Sequence, residues 1–146
     1  MQISSRFTIA THILIAIALK KDEEKATSDF LAKSIGVNPV IIRKILLRLK
    51  SADLISVARG TGGASITKEL KMIRLLDVYQ AVECLGKSGK LFSFHENPNP
   101  TCPIGKNIHS VLDCQLEAIQ IAMEKELAQS NLEDMVTAIQ GKIENK

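Results

Sequence analysis

Three basic side chains and a run of glycines are the residues best suited to chemistry with a polyanion. Arg43 and Lys44 fall in the first half of a segment with helical periodicity, and Arg59 directly precedes Gly60-Thr61-Gly62-Gly63. A guanidinium forks onto guanine O6 and N7, and a lysine ammonium reaches a base or a phosphate. Glycines let a backbone press against a phosphate or slip into a minor groove, whose negative potential favours a neighbouring Arg. The run is not a nucleotide-hydrolysing loop. A Walker loop needs Lys-Ser/Thr after its last glycine in a strand-to-helix setting, whereas Gly63 is followed by Ala64-Ser65.

Cysteine chemistry is the second candidate. Cys84, Cys102 and Cys114 are widely spaced and offer no close pair of the kind metal sites use. His95 and His109 could join Cys102 in a mixed site, but such a set arises easily by chance. Cys102 stands just before Pro103 and the start of a long helical pattern, whose positive dipole end lowers a thiol pKa. It is therefore the candidate redox-sensing thiol, against the commoner reading of a small buried hydrophobe. Cys84 and Cys114 fall inside apolar helical patterns and are expected in the core. A thiol enzyme using Cys102 with His95 or His109 needs an oriented base and an oxyanion site, and no local signature supplies them.

A chain of 146 residues must position these groups as one domain, or one domain with an appendage. Hydrophobic residues at 45% and charged residues at 24% are ordinary for a soluble globular protein. Aromatics at 3%, with no Trp, disfavour a Trp-cored sandwich and a stacking platform for single-stranded nucleic acid. The longest strongly apolar run, Ile13 to Leu19, is far short of the ~20 residues of a membrane span. No signal peptide is evident, and the odd, scattered cysteines suit a reducing cytoplasm. The net charge of +3 conceals an asymmetry. Residues 1–80 carry 13 Lys/Arg against 7 Asp/Glu, and residues 81–146 carry 6 against 9. A basic first half points to a polyanionic partner for that half.

The periodicity predicts a helix over Ile3 to Leu19, then a short one capped by Thr27 and closed by Gly36. Asn38-Pro39 starts a third helix reaching Ala52, with Ile41, Ile42, Ile45, Leu46 and Leu49 mostly inward and Arg43, Lys44, Arg48 and Lys50 on its wet side. The β-prone stretches 54–58 and 64–67 flank the glycine run and read as a hairpin. A hairpin after a helix-turn-helix is a wing. A fourth helix is expected over Met72 to Cys84, then a loop to Pro103. A long helix from Ile104 carries Ile108, Leu112, Leu116, Ile119, Met123 and Leu127, with Val111, Ala118 and Ala122 as a second apolar flank. At ~24 residues it spans ~36 Å, more than a small domain needs, so it is expected to pack on its own subunit and on a partner. Asn131 caps a last short helix, Leu132 to about Ile139.

The expected fold is thus mainly α with a small β-hairpin wing. A winged helix-turn-helix covers 1–84, a loop at 85–103 is a candidate sensing region, and 104–146 holds a dimerisation helix and a short terminal helix. A recognition helix reads the major groove from its N-terminal half. The candidate DNA-binding residues are Asn38, Val40, Arg43 and Lys44, with Arg59, Gly60, Thr61, Gly62 and Gly63 on the wing. The bland alternative is a winged helix that binds protein.

The sequence resembles the Rrf-two family of bacterial winged-helix transcription regulators. The resemblance rests on Asn38 to Leu46, Leu49, Leu54-Ile55, the wing Arg59-Gly60-Thr61-Gly62-Gly63, the segment Asn97 to Gly105, and Leu132 to Met135. It implies a homodimer whose long helices pair and place two winged helices on a palindromic operator in double-stranded DNA. It also implies repression relieved by a signal at the loop before the long helix. Cluster-binding members crowd three cysteines into that loop, where this chain has Cys102 alone. That departure argues against an iron–sulphur cluster and for the clusterless branch, in which a thiol, a small molecule or a partner protein sets the state. No cofactor, metal or membrane partner is expected.

Overall fold

The computed structural model describes residues 3–60, 62–83 and 89–145. Six helices and one hairpin follow in order: α1 (Ser5–Leu19), α2 (Ser28–Ile35), α3 (Pro39–Ser51), β1 (Ile55–Val57), β2 (Ala64–Ile66), α4 (Leu75–Val82), α5 (Pro103–Gln129) and α6 (Leu132–Glu144). Helix α1 is apolar nearly all round, as a buried helix should be. Its Ala10, Ile13, Leu14 and Ile17 are buried, and it touches α2, α3, α4, α6 and β2.

Local signals set most boundaries. Ser4 caps α1, accepting from the Arg6 amide, so the helix begins at Ser5 rather than Ile3. Thr27 Oγ1 accepts from the Phe30 amide at 3.1 Å, and Gly36 ends α2 at φ +79°. Asn38 Oδ1 accepts from the Val40 amide at 2.8 Å, with Pro39 as the first helical residue. A cap of this kind is worth about 1 kcal/mol. The stripe Ile42, Ile45, Leu46 and Leu49 is buried at i, i+3, i+4 and i+7.

Two expectations about α3 need correction. Ile41 is not inward: it sits about 100° from Ile42 around the helix and is 41% exposed. Arg48 is not simply on the wet side. It is half-buried, and its Nη1 donates to the Val82 carbonyl at 3.1 Å, satisfying an oxygen left open at the end of α4. Helix α4 also starts later than Met72. A 3-10 turn at Leu70–Met72 comes first, and Asp77 Oδ2 accepts from the Arg74 amide at 2.9 Å to fix the start at Leu75.

The strands pair antiparallel in the register Ile55–Ile66, Ser56–Ser65 and Val57–Ala64. Helix α5 is 27 residues long, about 40 Å, and none of its described side chains is fully buried. Cys114, expected in the core, is exposed: it lies off the face of α5 that meets the chain's own domain. Asn131 caps α6 by accepting from the Asp134 amide, and α6 runs on to Glu144, beyond the expected Ile139. Its Leu132 and Val136 join the core built by α1, α3 and α4. Two backbone bonds fasten that return, Leu75 N–H to Ser130 O at 2.9 Å and Leu132 N–H to Ile73 O at 2.8 Å. Cys84 and the wing residue Thr61 lie outside the described residues.

Candidate nucleic-acid interface

The turn between α2 and α3 sets how α3 is presented. Gly36 adopts the left-handed conformation that a side chain would strain, so the chain reverses within two residues before Asn38 begins the next helix. With the stripe of α3 committed to the core, Asn38, Val40, Arg43 and Lys44 are left exposed. Ser28, Arg43, Leu46, Leu47, Lys50 and Val57 line one open groove of about 340 Å³. The start of α2, the outer face of α3 and the first wing strand therefore form a single surface. Lys50 and Leu47 belong to this surface and were not among the expected site residues. The signal for Lys50 was its spacing, two turns on from Arg43 on the same face.

The wing is anchored from behind. Ala64 N–H donates to Ala26 O at 3.0 Å, tying the hairpin to the segment before α2, and Ala58 N–H donates to Gly63 O at 3.0 Å, closing the hairpin itself. Gly63 has φ +78°, and a Cβ there would come within 2.7 Å of the Ala26 backbone. It is buried, so this glycine supports the wing from inside rather than facing outward. Gly62 is exposed, but a Cβ on it would meet that of Ala58. Gly60, at φ +70°, has open space around it, and Arg59 beside it is exposed. Arg43, Lys44 and Arg59 form no ion pair with any described carboxylate. Three uncompensated cations on the basic half of the chain make a surface suited to phosphates and base edges.

Cys102 is the N-cap residue of α5. The backbone amide of Gly105, and then that of Ile104, hold its thiol below the usual cysteine range, although the side chain makes no full capping hydrogen bond. Gly105 is pressed against Asn99, where a Cβ would approach the carbonyl oxygen to 2.5 Å, so the segment before α5 is closely seated. His95 and His109 stand with ring centroids 5.2 Å apart, and His109 Nδ1 is 3.0 Å from Asp113 Oδ1. Among the described residues neither imidazole is hydrogen-bonded to Cys102, and no three His, Cys, Asp or Glu residues are grouped to hold a metal ion. No helix among the described residues is long and apolar enough to cross a membrane.

Comparison with known proteins agrees with this geometry. Residues 3–138 match the Rrf2 family, described as iron-dependent transcriptional regulators. The chain is 44% identical over 134 residues to a Bacillus subtilis (strain 168) protein named as an HTH-type transcriptional regulator, YwnA, covering 92% of this chain and 96% of that one. A crystal structure described as that of a DNA-binding protein superposes with a TM-score of 0.70 at 39% identity, over 90% of this chain and 98% of the other. CymR (YrzC), the global cysteine regulator of B. subtilis, shares the fold at a TM-score of 0.66 and 19% identity, over 94% and 97% of the two chains. A helix-turn-helix with an anchored wing, followed by a long uncovered helix and matched along nearly its whole length, identifies this chain as a member of the Rrf2 family of transcriptional regulators.

Proposed function

We propose that the protein is a homodimeric, sequence-specific DNA-binding regulator, a repressor that occupies a palindromic operator in the bacterial cytoplasm. Asn38, Val40, Arg43 and Lys44 enter the major groove, with Arg43 forking onto a guanine and Val40 offering an apolar contact to a thymine methyl. Arg59, Gly60, Thr61 and Gly62 serve the adjacent minor groove, with Gly63 holding the wing in place. The observation that carries this reading is the shared surface of α3 and β1, whose exposed cations no described carboxylate neutralises.

The exposed side of α5 supports the dimer. Ile104 is 75% and Val111 65% exposed, and Leu112 and Ile119 extend the same apolar side. A patch of this length on a helix is the kind of surface a second copy covers. Cys102 is its responsive thiol: peroxide takes the thiolate to a sulfenic acid with release of hydroxide. Salt-dependent duplex binding tests the central step. A linear fall of log affinity with log salt is expected, and absence of duplex binding at about 50 mM salt would leave the protein-binding winged helix as the reading.

A further inference from the structure

The face of α5 that meets its own chain is not filled solid. Between it and the segment 89–97 lies a cavity of about 280 Å³. Phe92 and Phe94 from the segment form its apolar walls, and Asp113, Glu117 and Glu124 from α5 supply three carboxylates. Lys90 contributes an ammonium whose Nζ lies 5.3 Å from the Phe94 ring centroid, a cation–π contact. The cavity thus already seats one alkylammonium against a ring, while its carboxylates outnumber that charge by two.

The walls are held in place by the protein itself. Gln120 Oε1 accepts from the Leu91 amide at 2.8 Å, and its Nε2 donates to Gly89 O at 2.9 Å and to Glu124 Oε1 at 3.1 Å. One side chain therefore clips the segment to the helix and fixes a carboxylate, which lowers the ordering cost of binding. Asp113 is engaged by His109. Glu117 is exposed and makes no hydrogen bond or ion pair with the described residues, so its carboxylate is open to the ammonium of a ligand. The acid is spread along the cavity rather than converging as a metal site would. On α4, Tyr79 Oη and, just past its end, Glu83 Oε1 are buried with no hydrogen-bond partner among the described residues. Burial, then the charges of Glu83 and Glu124, hold the Tyr79 phenol above its usual range.

The position on α5 matters too. At about 100° per residue, positions 113, 117, 120 and 124 share one face, about half a turn around the helix from Ile104 and Val111.

We propose that this cavity binds a small organic cation, an alkyl- or arylalkylammonium, with its ammonium at Glu117 and Glu124 and its apolar part against Phe92 and Phe94. The rings and the carboxylates together select this class: an anion is repelled, and a neutral apolar molecule gains nothing from the carboxylates. The test is calorimetric titration of the full chain with benzylammonium chloride, with sodium benzoate and benzyl alcohol as matched probes. Saturable binding of one benzylammonium per protomer is expected, at a Kd of about 1 mM or tighter. Glu117→Gln and Phe94→Leu should each weaken it by about tenfold or more, and Val111→Ala should leave it unchanged. Absence of saturable heat, equal binding of benzoate or benzyl alcohol, or full binding by Glu117→Gln would each overturn the proposal. No DNA enters this experiment, so its failure leaves the DNA-binding reading standing, and failure of that reading leaves this site standing.

Discussion

Helices α3 and α5 are both amphipathic, yet their apolar residues meet opposite fates. In α3 the stripe Ile42, Ile45, Leu46 and Leu49 is buried by the chain's own α1, α2 and α4. In α5 no described side chain is fully buried, and large apolar residues stand in water on the side facing away from the domain. The contrast separates two uses of hydrophobic surface. Helix α3 spends its apolar face on folding, which frees a rigid polar face for a partner. Helix α5 leaves apolar surface exposed, the surface the proposed dimer would cover, while its inner face packs against the segment 89–97.

The sharpest way to break that contrast is to cut into each helix. Leu49→Ala, at a fully buried position, should cost about 2–5 kcal/mol in thermal or denaturant unfolding, because it removes contacts and leaves a cavity. Ile119→Glu on α5 should leave the fold of the protomer intact and convert a dimer to a monomer in sedimentation at micromolar concentration. A dimer that survives it would place the interface elsewhere. Arg43→Ala should cost about 1–3 kcal/mol of binding to the preferred duplex and relax preference at one base. Equal loss on all duplexes with a shallower salt slope would make Arg43 a phosphate contact. Asn38→Ala should lower stability by about 1 kcal/mol through the lost cap on the Val40 amide.

The smallest effect is at Cys102. Its folded-state pKa lies below the usual thiol value, so iodoacetamide should label it faster than the exposed Cys114 at neutral pH, with a rate that rises with pH through a depressed midpoint. The linked contribution to stability is present above the ordinary thiol pKa and is lost as pH falls through the depressed one. Equal labelling of both cysteines would remove the effect of the Gly105 and Ile104 amides.

What the sequence made legible was local. Thr27, Gly36, Asn38-Pro39 and Asn131 act on atoms two to four residues away, so their capping roles could be read before any tertiary contact was known. Arg48 was misplaced because its partner, the Val82 carbonyl, lies 34 residues along the chain. Cys114 was misplaced because apolar periodicity marks a face without saying which molecule covers it. The surface joining Arg43 to Val57 was partly visible as basic helix plus glycine-rich wing, and Lys50 by its spacing from Arg43, but that these share a groove with Ser28 and Val57 depends on how α2, α3 and β1 pack. The cavity beside Phe92 and Phe94 had no linear signal, since its rings and carboxylates come from segments brought together by the Gln120 clip.

Selection from a randomised duplex library by the purified, reduced protein, followed by sequencing, tests the whole division of labour at once. A palindrome is expected whose half-sites lie about one helical turn or a multiple of it apart, with Arg43→Ala losing discrimination at one symmetric pair of positions. No enrichment by an intact dimer would contradict it, as would enrichment of a single half-site without symmetry.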